Sequence, residues 1–313
     1  MIRMRLSSLA AAALAAVPAL AQDAEPAPRT GIWLEVTSPV VSEGQPIDLT
    51  LRAVFDEPTT VPATLLGGVD LQSWFAGEAS KAVSEPLDGE VAIAGGTSIH
   101  RRIRVESAGW SPGQLVFAWK GELDSKVTVQ IVPDQTEIDV EALDLSKTTV
   151  RLITNYGEMV VSFFPEAAPG HVKNFIKLAK EGFYNGTRFH RVIRDFMIQG
   201  GDPNTKPGAT GPVGAGSPGY RIDAEFSDNK HVRGILSMAR ASDPNSAGSQ
   251  CFIMHGTQSG LDGKYSVFGK LESGLETLDA IANVPVRPTP SNEPSMPVEP
   301  VHLYAAVVVP VPE

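Results

Sequence analysis

The histidines and the single cysteine of this sequence form no catalytic or metal-binding pattern. Its six histidines show no ligand spacing such as His-x-x-x-His, so the pattern predicts no metal site. Cys251, the only cysteine, lies in the apolar run QCFIM at 250–254, which is typical of a buried structural thiol. Neither a G-x-S-x-G elbow nor a phosphate-binding P-loop is present. These patterns disfavour hydrolase, nucleotide and metal chemistry, and we expect no cofactor.

A stronger candidate is the run FHRVIRDFMIQGGD at 189–202, which sets an arginine beside aromatic, thioether and amide side chains. Taken alone, Arg191 reads as a surface residue of a strand, and Phe196 and Met197 read as core residues. The run becomes significant because further runs accompany it in a fixed order along the chain. Ordered partner runs are TNYG at 154–157, Asn174-Phe175, GILSMA at 234–239, GSQCFI at 248–253 and LDGKYSVFG at 261–269.

Together these runs resemble the cyclophilin family of peptidyl-prolyl cis-trans isomerases, in its bacterial exported form, over residues 148–309. The resemblance implies an eight-stranded antiparallel β-barrel capped by two α-helices, with a surface groove that binds an X-Pro segment. It also implies that Arg191 is the catalytic arginine and that Gln199 binds the substrate backbone. The implied proline pocket consists of Phe196, Met197, Phe252 and Leu261. The implied groove is lined by Ala239, Gln250 and Arg240, the last through its backbone. Tyr265, also implied to bind substrate, stands where many members have His.

The sequence departs from the family pattern at two places. Gly260 stands where drug-sensitive members carry Trp, so we expect weak binding of cyclosporin because a flat aromatic wall and a donor are missing. The loop 240–245 is one residue longer than the common form, which leaves the preference for substrate residues beside the proline open.

The implied chemistry needs no nucleophile and no metal because no bond is broken. A prolyl bond rotates slowly because its C–N bond has partial double-bond character, with a barrier of about 18–20 kcal/mol. On twisting, the prolyl nitrogen regains a lone pair. A fixed cation with N–H donors, such as a guanidinium, would stabilise that twisted form over both planar forms.

The elements that must position these residues can be predicted from periodicity. Residues 149–154 and 159–164 indicate a hairpin around Asn155-Tyr156-Gly157. Pro169 opens an amphipathic helix that Gly182 should end, and residues 275–282 indicate a second helix. Strand-like runs elsewhere, closing at 301–309, predict a β-barrel or sandwich closed by helices over residues 148–313.

The chain in front of this part has a different pattern. Residues 31–132 alternate apolar and polar side chains with period two, as at Ile47, Leu49 and Leu51, and turn signals separate the runs. This pattern predicts an all-β sandwich of immunoglobulin-like type. The sequence of residues 31–132 resembles no family that we can name. Residues 133–147 are rich in acidic side chains and are interpreted as a linker.

The N-terminus indicates export. Arg3 and Arg5 precede an Ala/Leu-rich stretch, and Ala19-Leu20-Ala21 forms a small-x-small cleavage site. We therefore expect a signal peptide at 1–21, a flexible segment at 22–30 and a periplasmic or secreted mature chain. An uncleaved anchor is the alternative, disfavoured because the stretch is short and contains Pro18. We expect no stable membrane insertion.

The net charge of the chain limits the classes of partner that it can bind. With 26 basic and 36 acidic residues the formal net charge is −10, which repels phosphate backbones and argues against nucleic acid. The expected partners are proline-containing unfolded or flexible polypeptides, and the expected role is that of a folding catalyst for exported proteins. A non-catalytic peptide-binding chaperone or partner-recruitment module on the same fold is the alternative. For the front domain four roles stay open, because nothing in residues 31–132 selects among them: binding a partner, binding a glycan, binding an envelope surface, or acting only as a spacer.

Overall fold

The computed structural model describes residues 31–36, 38–62, 69–73, 81–82, 89–95, 97–105, 113–119, 125–290 and 292–310. The predicted signal peptide at 1–21 and the predicted flexible segment at 22–30 lie outside the described residues. Among the helices of the described part, none is long and apolar enough to cross a bilayer.

The front part, as far as it is described, is built from strands and turns without a helix. Its strands are β1 (Gly31–Val36), β2 (Val40–Ser42), β3 (Ile47–Phe55), β4 (Thr59–Pro62), β5 (Val69–Ser73), β6 (Lys81–Ala82), β7 (Glu90–Ile93), β8 (Thr97–Val105), β9 (Gly113–Trp119) and β10 (Ser125–Val132). They form sheets of order β1-β3-β8, β2-β10-β9-β5-β6 and β4-β7. One apolar cluster joins the sheets, with Leu49 and Leu51 from β3 packed with Phe117 from β9 and Val129 from β10. Every second residue of β3 is buried over its first seven positions, because successive side chains of a strand point to opposite faces.

The acidic segment 133–147 does more than connect the two parts. Its apolar residues Ile138, Val140, Leu143 and Leu145 are partly buried against the core of the C-terminal part. The side chain of Gln135 is buried and accepts a hydrogen bond from the backbone N–H of Val308 at 2.6 Å. The acidic side chains face outward, while these contacts hold the segment against the following domain.

The C-terminal part is a strongly curled antiparallel sheet, a half-barrel. Its strands, with those of a small separate hairpin, are β11 (Thr149–Thr154), β12 (Gly157–Phe163), β13 (Thr187–Arg188), β14 (Arg191–Ile193), β15 (Met197–Gly200), β16 (Ile235–Met238), β17 (Cys251–Met254), β18 (Val267–Ser273), β19 (Val286–Pro288), β20 (Pro294–Pro297) and β21 (His302–Val309). The curled sheet has the order β13-β21-β11-β12-β18-β16-β17-β15-β14, and β19 pairs with β20 in the hairpin.

The sheet has nine strands where the resemblance implies eight. The difference arises in the run 187–193, which serves both edges: β13 pairs with β21, and β14 pairs with β15. Phe189 and His190 lie between the two pairings. Because only two residues separate the edge strands, the sheet must curl until its edges approach each other.

Two helices accompany the sheet, as predicted. Helix α1 (Pro169–Lys180) buries Val172, Phe175 and Ile176 against the core, and its Pro occupies the first turn. Gly182 stops it with φ of +67°, a conformation that glycine adopts without a Cβ penalty. Helix α2 (Leu275–Ala282) buries Leu278 and Ile281 against β12 and β15. The hydrophobic core of this part lies between the helices and the sheet.

Candidate active site

The predicted catalytic and pocket residues line one hollow, a cavity of about 160 Å³. Its lining consists of Arg191, Phe196, Met197, Gln199, Ala239, Arg240, Phe252, Leu261 and Tyr265. The sheet register explains how residues far apart in sequence come together. Arg191 of β14 lies opposite Gln199 of β15, which lies opposite Phe252 of β17. Directly opposed residues of antiparallel strands point to the same face, so these side chains form one row.

The floor of the hollow is apolar. Met197 and Phe252 are buried, while Phe196 and Leu261 are partly buried at its rim. The ring of Tyr265 meets that of Phe252 edge-on, with centroids 5.8 Å apart. A small, half-open cavity of this character suits a proline ring, which carries no N–H donor that would need a partner.

Arg191 stands at the side of this floor with its two edges in different surroundings. Nε and Nη2 each donate to one carboxylate oxygen of Glu293, both at 2.7 Å. Nη1 lies 3.8 Å from the sulfur of Met197, and the guanidinium carbon lies 5.8 Å from the ring centre of Phe196. One edge of the guanidinium is therefore bound to Glu293, and the other edge, with Nη1 against the Met197 sulfur, lines the hollow.

Gln250 is the one predicted site residue outside the lining of the hollow. It lines an adjoining cavity of about 310 Å³, which shares Gln199, Ala239 and Arg240 with the hollow. Its side chain accepts a hydrogen bond from Gln199 at 3.0 Å and donates to the backbone carbonyls of Gly214 and Gly216. Gln250 thus connects the hollow to the loop that carries Gly214 and Gly216, and it orients Gln199.

Comparisons with known proteins relate the C-terminal part to one family. The sequence model of the family described as cyclophilin type peptidyl-prolyl cis-trans isomerase/CLD matches residues 149–304. Peptidyl-prolyl cis-trans isomerase B of Bacillus subtilis is 45% identical over 139 residues, which cover 44% of this chain and 92% of that protein. The peptidyl-prolyl cis-trans isomerase of Helicobacter pylori is 44% identical over 148 residues, covering 46% of this chain and 86% of that protein. The chain belongs to the cyclophilin-type peptidyl-prolyl cis-trans isomerases.

Among solved structures, a cyclophilin-type isomerase of Cryptosporidium parvum, in the presence of the dipeptide Ala-Pro, is 37% identical. The alignment covers 53% of this chain and 99% of that one, with a TM-score of 0.46. The family match begins at residue 149, so the front domain of this cyclophilin lies outside it.

In this cyclophilin the side chain of Arg240, expected to contribute through its backbone, also builds a wall of the hollow. Its guanidinium carbon lies 4.7 Å from the ring centre of Tyr265, a cation–π arrangement. Nε and Nη2 both donate to the carbonyl oxygen of Lys264, which holds the side chain across the ring. At Gly260, next to the lining residue Leu261, a Cβ would meet no atom within 4 Å.

A polar network behind the floor escaped the sequence analysis. The ring of His231 stacks on Phe252, and its nitrogens lie 3.1 Å from Asp262 and 3.0 Å from the hydroxyl of Ser237. His231 and Ser237 are buried, and burial lowers the pKa of His231. Although Asp, His and Ser also form hydrolase triads, the buried Ser237 is closed to substrate, so this network braces Phe252. Little in the sequence indicated this network, because His231 lies outside the runs that resemble the family.

Cys251 lies beside this site without access to it. The thiol is buried, and desolvation raises its pKa to about 12. The reactive thiolate is therefore scarce at neutral pH, in agreement with the structural role predicted from the apolar run.

Proposed function

We propose that this cyclophilin accelerates rotation about X-Pro bonds in exported polypeptides and that Arg191 is its catalytic residue. The observation that carries the proposal is the guanidinium edge away from Glu293, which lies against the Met197 sulfur and lines an apolar hollow of proline size. When the prolyl amide twists, its nitrogen gains a lone pair that an N–H donor of Arg191 can bind. The planar forms lack this acceptor, so the contact favours the transition state over both ground states.

The remaining lining residues have supporting roles in this proposal. Phe196, Met197, Phe252 and Leu261 hold the proline ring and lower the local polarity, which strengthens the arginine contact. Gln199, oriented by Gln250, binds the backbone of the substrate. Ala239 and Arg240 line the groove that joins the hollow to the adjoining cavity, and Tyr265 closes the side of the pocket.

The test compares the full chain with Arg191→Ala and Arg191→Lys in a chromogenic X-Pro peptide assay. We expect kcat/KM to fall about 100-fold in Arg191→Ala, equivalent to about 2.7 kcal/mol. Lys should rescue little, because a point charge lacks the planar fork that Glu293 and the hollow share. Arg194→Ala is the matched control, since Arg194 is exposed three residues away. Equal activity of Arg191→Ala and wild type would contradict the proposal.

The export role rests on the N-terminal sequence. Cleavage after Ala21 would release a mature chain that meets clients in an envelope or extracellular compartment. We expect the mature protein outside the cytoplasm with Gln22 at its N-terminus, and N-terminal sequencing of fractionated cells checks this. An intact leader in the cytoplasmic fraction would count against it.

The front domain, in this proposal, is an immunoglobulin-like sandwich that recruits a partner for the isomerase. Its support is the shared core of the sheets in the described residues. The alternative in which the whole chain only holds peptides predicts equal suppression of client aggregation by wild type and Arg191→Ala, together with equal, negligible isomerase rates. A pull-down with the full chain against envelope extract, repeated with a chain lacking residues 31–132, tests recruitment.

A further inference from the structure

Glu293 is a carboxylate at the active site that no sequence pattern indicated. It follows Arg191 by 102 residues and lies in the turn that leads into β20. Both of its oxygens accept hydrogen bonds from Arg191, from Nε and Nη2, at 2.7 Å each. A fork-to-fork pair of this kind fixes the plane of a guanidinium as well as its position.

The turn that carries Glu293 is itself well held. The buried hydroxyl of Ser295 donates to Oε2 of Glu293 at 2.8 Å. The backbone N–H of Glu293 donates to the hydroxyl of Thr289, and the N–H of Thr289 donates to the carbonyl of Glu293. The carboxylate is thus oriented independently of Arg191. This makes Glu293 an anchor for Arg191 and not a mobile counter-ion.

The pattern of donors shows what the anchor achieves. Of the three guanidinium nitrogens of Arg191, two donate to Glu293, and the third, Nη1, points to the sulfur of Met197 at the floor of the hollow. An unanchored arginine samples many rotamers, and ordering such a side chain costs conformational entropy. Because Glu293 holds the side chain of Arg191 in the folded protein, this entropy is lost on folding and not on substrate binding.

We propose that Glu293 is a positioning residue for catalysis: it holds Arg191 by one edge so that Nη1 is aimed at the twisting prolyl nitrogen. The inference rests on the catalytic role proposed for Arg191. Glu293 itself touches no substrate. Its hydrogen bonds to Arg191 lower its pKa to about 2, so it stays ionised throughout the range in which the enzyme would work.

The positioning role predicts an effect on kcat and little on KM, because the apolar hollow that binds proline is unchanged. In the full chain, Glu293→Ala should lower kcat about tenfold, and KM should stay within about twofold. Glu293→Gln keeps one acceptor oxygen but presents an NH2 group to the arginine donors, so kcat should fall by a similar or smaller factor. Glu299→Gln, which removes an exposed charge six residues away, should match wild type.

Two readouts separate positioning from a merely structural effect. In an Arg191→Ala background, Glu293→Ala should cause no further loss, since the anchor then has nothing to hold. In wild type, the Nε–H proton of Arg191 should give a slowly exchanging NMR signal that Glu293→Ala abolishes, while the amide spectrum of β11 and β12 stays the same.

Each outcome decides something. Unchanged kcat in both Glu293 variants, alongside a clear loss in Arg191→Ala, would overturn the positioning role and leave the proposed function intact. A higher kcat would also overturn it, because Glu293 would then be competing with substrate for Arg191. A further loss in the Arg191→Ala background would assign Glu293 to folding. If Arg191→Ala retained full activity, the proposed function would fail first.

Discussion

At the scale of single residues, the shape of the hollow depends on which side chains form its walls. Arg240 lies over Tyr265 in a chain where Gly260 has no side chain to contribute. The space beside Gly260 is open, and its backbone does not need positive φ. A larger residue is therefore compatible with the fold at this position.

This leads to a prediction for Gly260→Trp. An indole there adds a flat apolar wall and an N–H donor, so cyclosporin should bind roughly tenfold tighter or more, a gain of about 1.4 kcal/mol. Inhibition constants in the peptide assay measure it, with Gly260→Ala as the control because it adds only a methyl group. Nanomolar inhibition of wild type would show that the missing aromatic is not what limits the drug.

At the scale of elements, the open edge of β21 is protected by side chains. Only its first two residues pair with β13. Further along, the N–H groups of Ala306 and Val308, two residues apart and so on the same edge, donate to the side-chain oxygens of Asn185 and Gln135. An uncovered strand edge is a template for aggregation, and these two amides occupy it. The acidic segment thereby contributes to the stability of the isomerase domain.

Gln135→Ala should destabilise the chain by about 1–3 kcal/mol, because the N–H of Val308 would be left buried without a partner. Urea unfolding followed by fluorescence measures the loss, and isomerase activity at 25 °C should be retained. Glu137→Ala, an exposed change two residues away, should stay within about 0.5 kcal/mol of wild type. Equal midpoints for both variants would mean that water satisfies the edge instead.

At the scale of the whole molecule, a small apolar cluster connects the two domains. Val40 and Val132 of the front part belong to one apolar cluster with Ile153 of β11 and Val307 of β21. Neither of these strands contributes a side chain to the hollow. The described contacts between the two parts therefore lie on strands that do not line the proline pocket.

The stability of the whole chain should fall in mild acid, with His302 as one cause. Burial, and secondarily the charge of Arg188, lower the pKa of His302 from 6.5 to about 4. Between these values the unfolded chain binds a proton that the folded chain excludes, so acidification from pH 7 towards pH 4 favours unfolding. Urea unfolding at pH 7 and pH 4.5 should show a smaller drop for His302→Gln than for wild type. The same drop in both proteins would remove His302 from the account.

The sequence by itself determined the family and most of the local structure. The runs at 189–202, 248–253 and 261–269 carry the pocket residues because strand alternation and turns are local properties. Pro169 and Gly182 marked the ends of α1 to within two residues for the same reason: backbone preferences of proline and glycine act on their neighbours alone.

Only the tertiary structure decided which groups meet across the curled sheet. Glu293 reaches Arg191 over 102 residues, and His231 reaches Asp262 over 31. The run 187–193 forms two strands because its two ends pair with opposite edges of the sheet. Such contacts depend on curvature summed over many strands, which leaves no period or spacing in the chain. For this reason the arginine could be found by reading the sequence, and the carboxylate that anchors it could not.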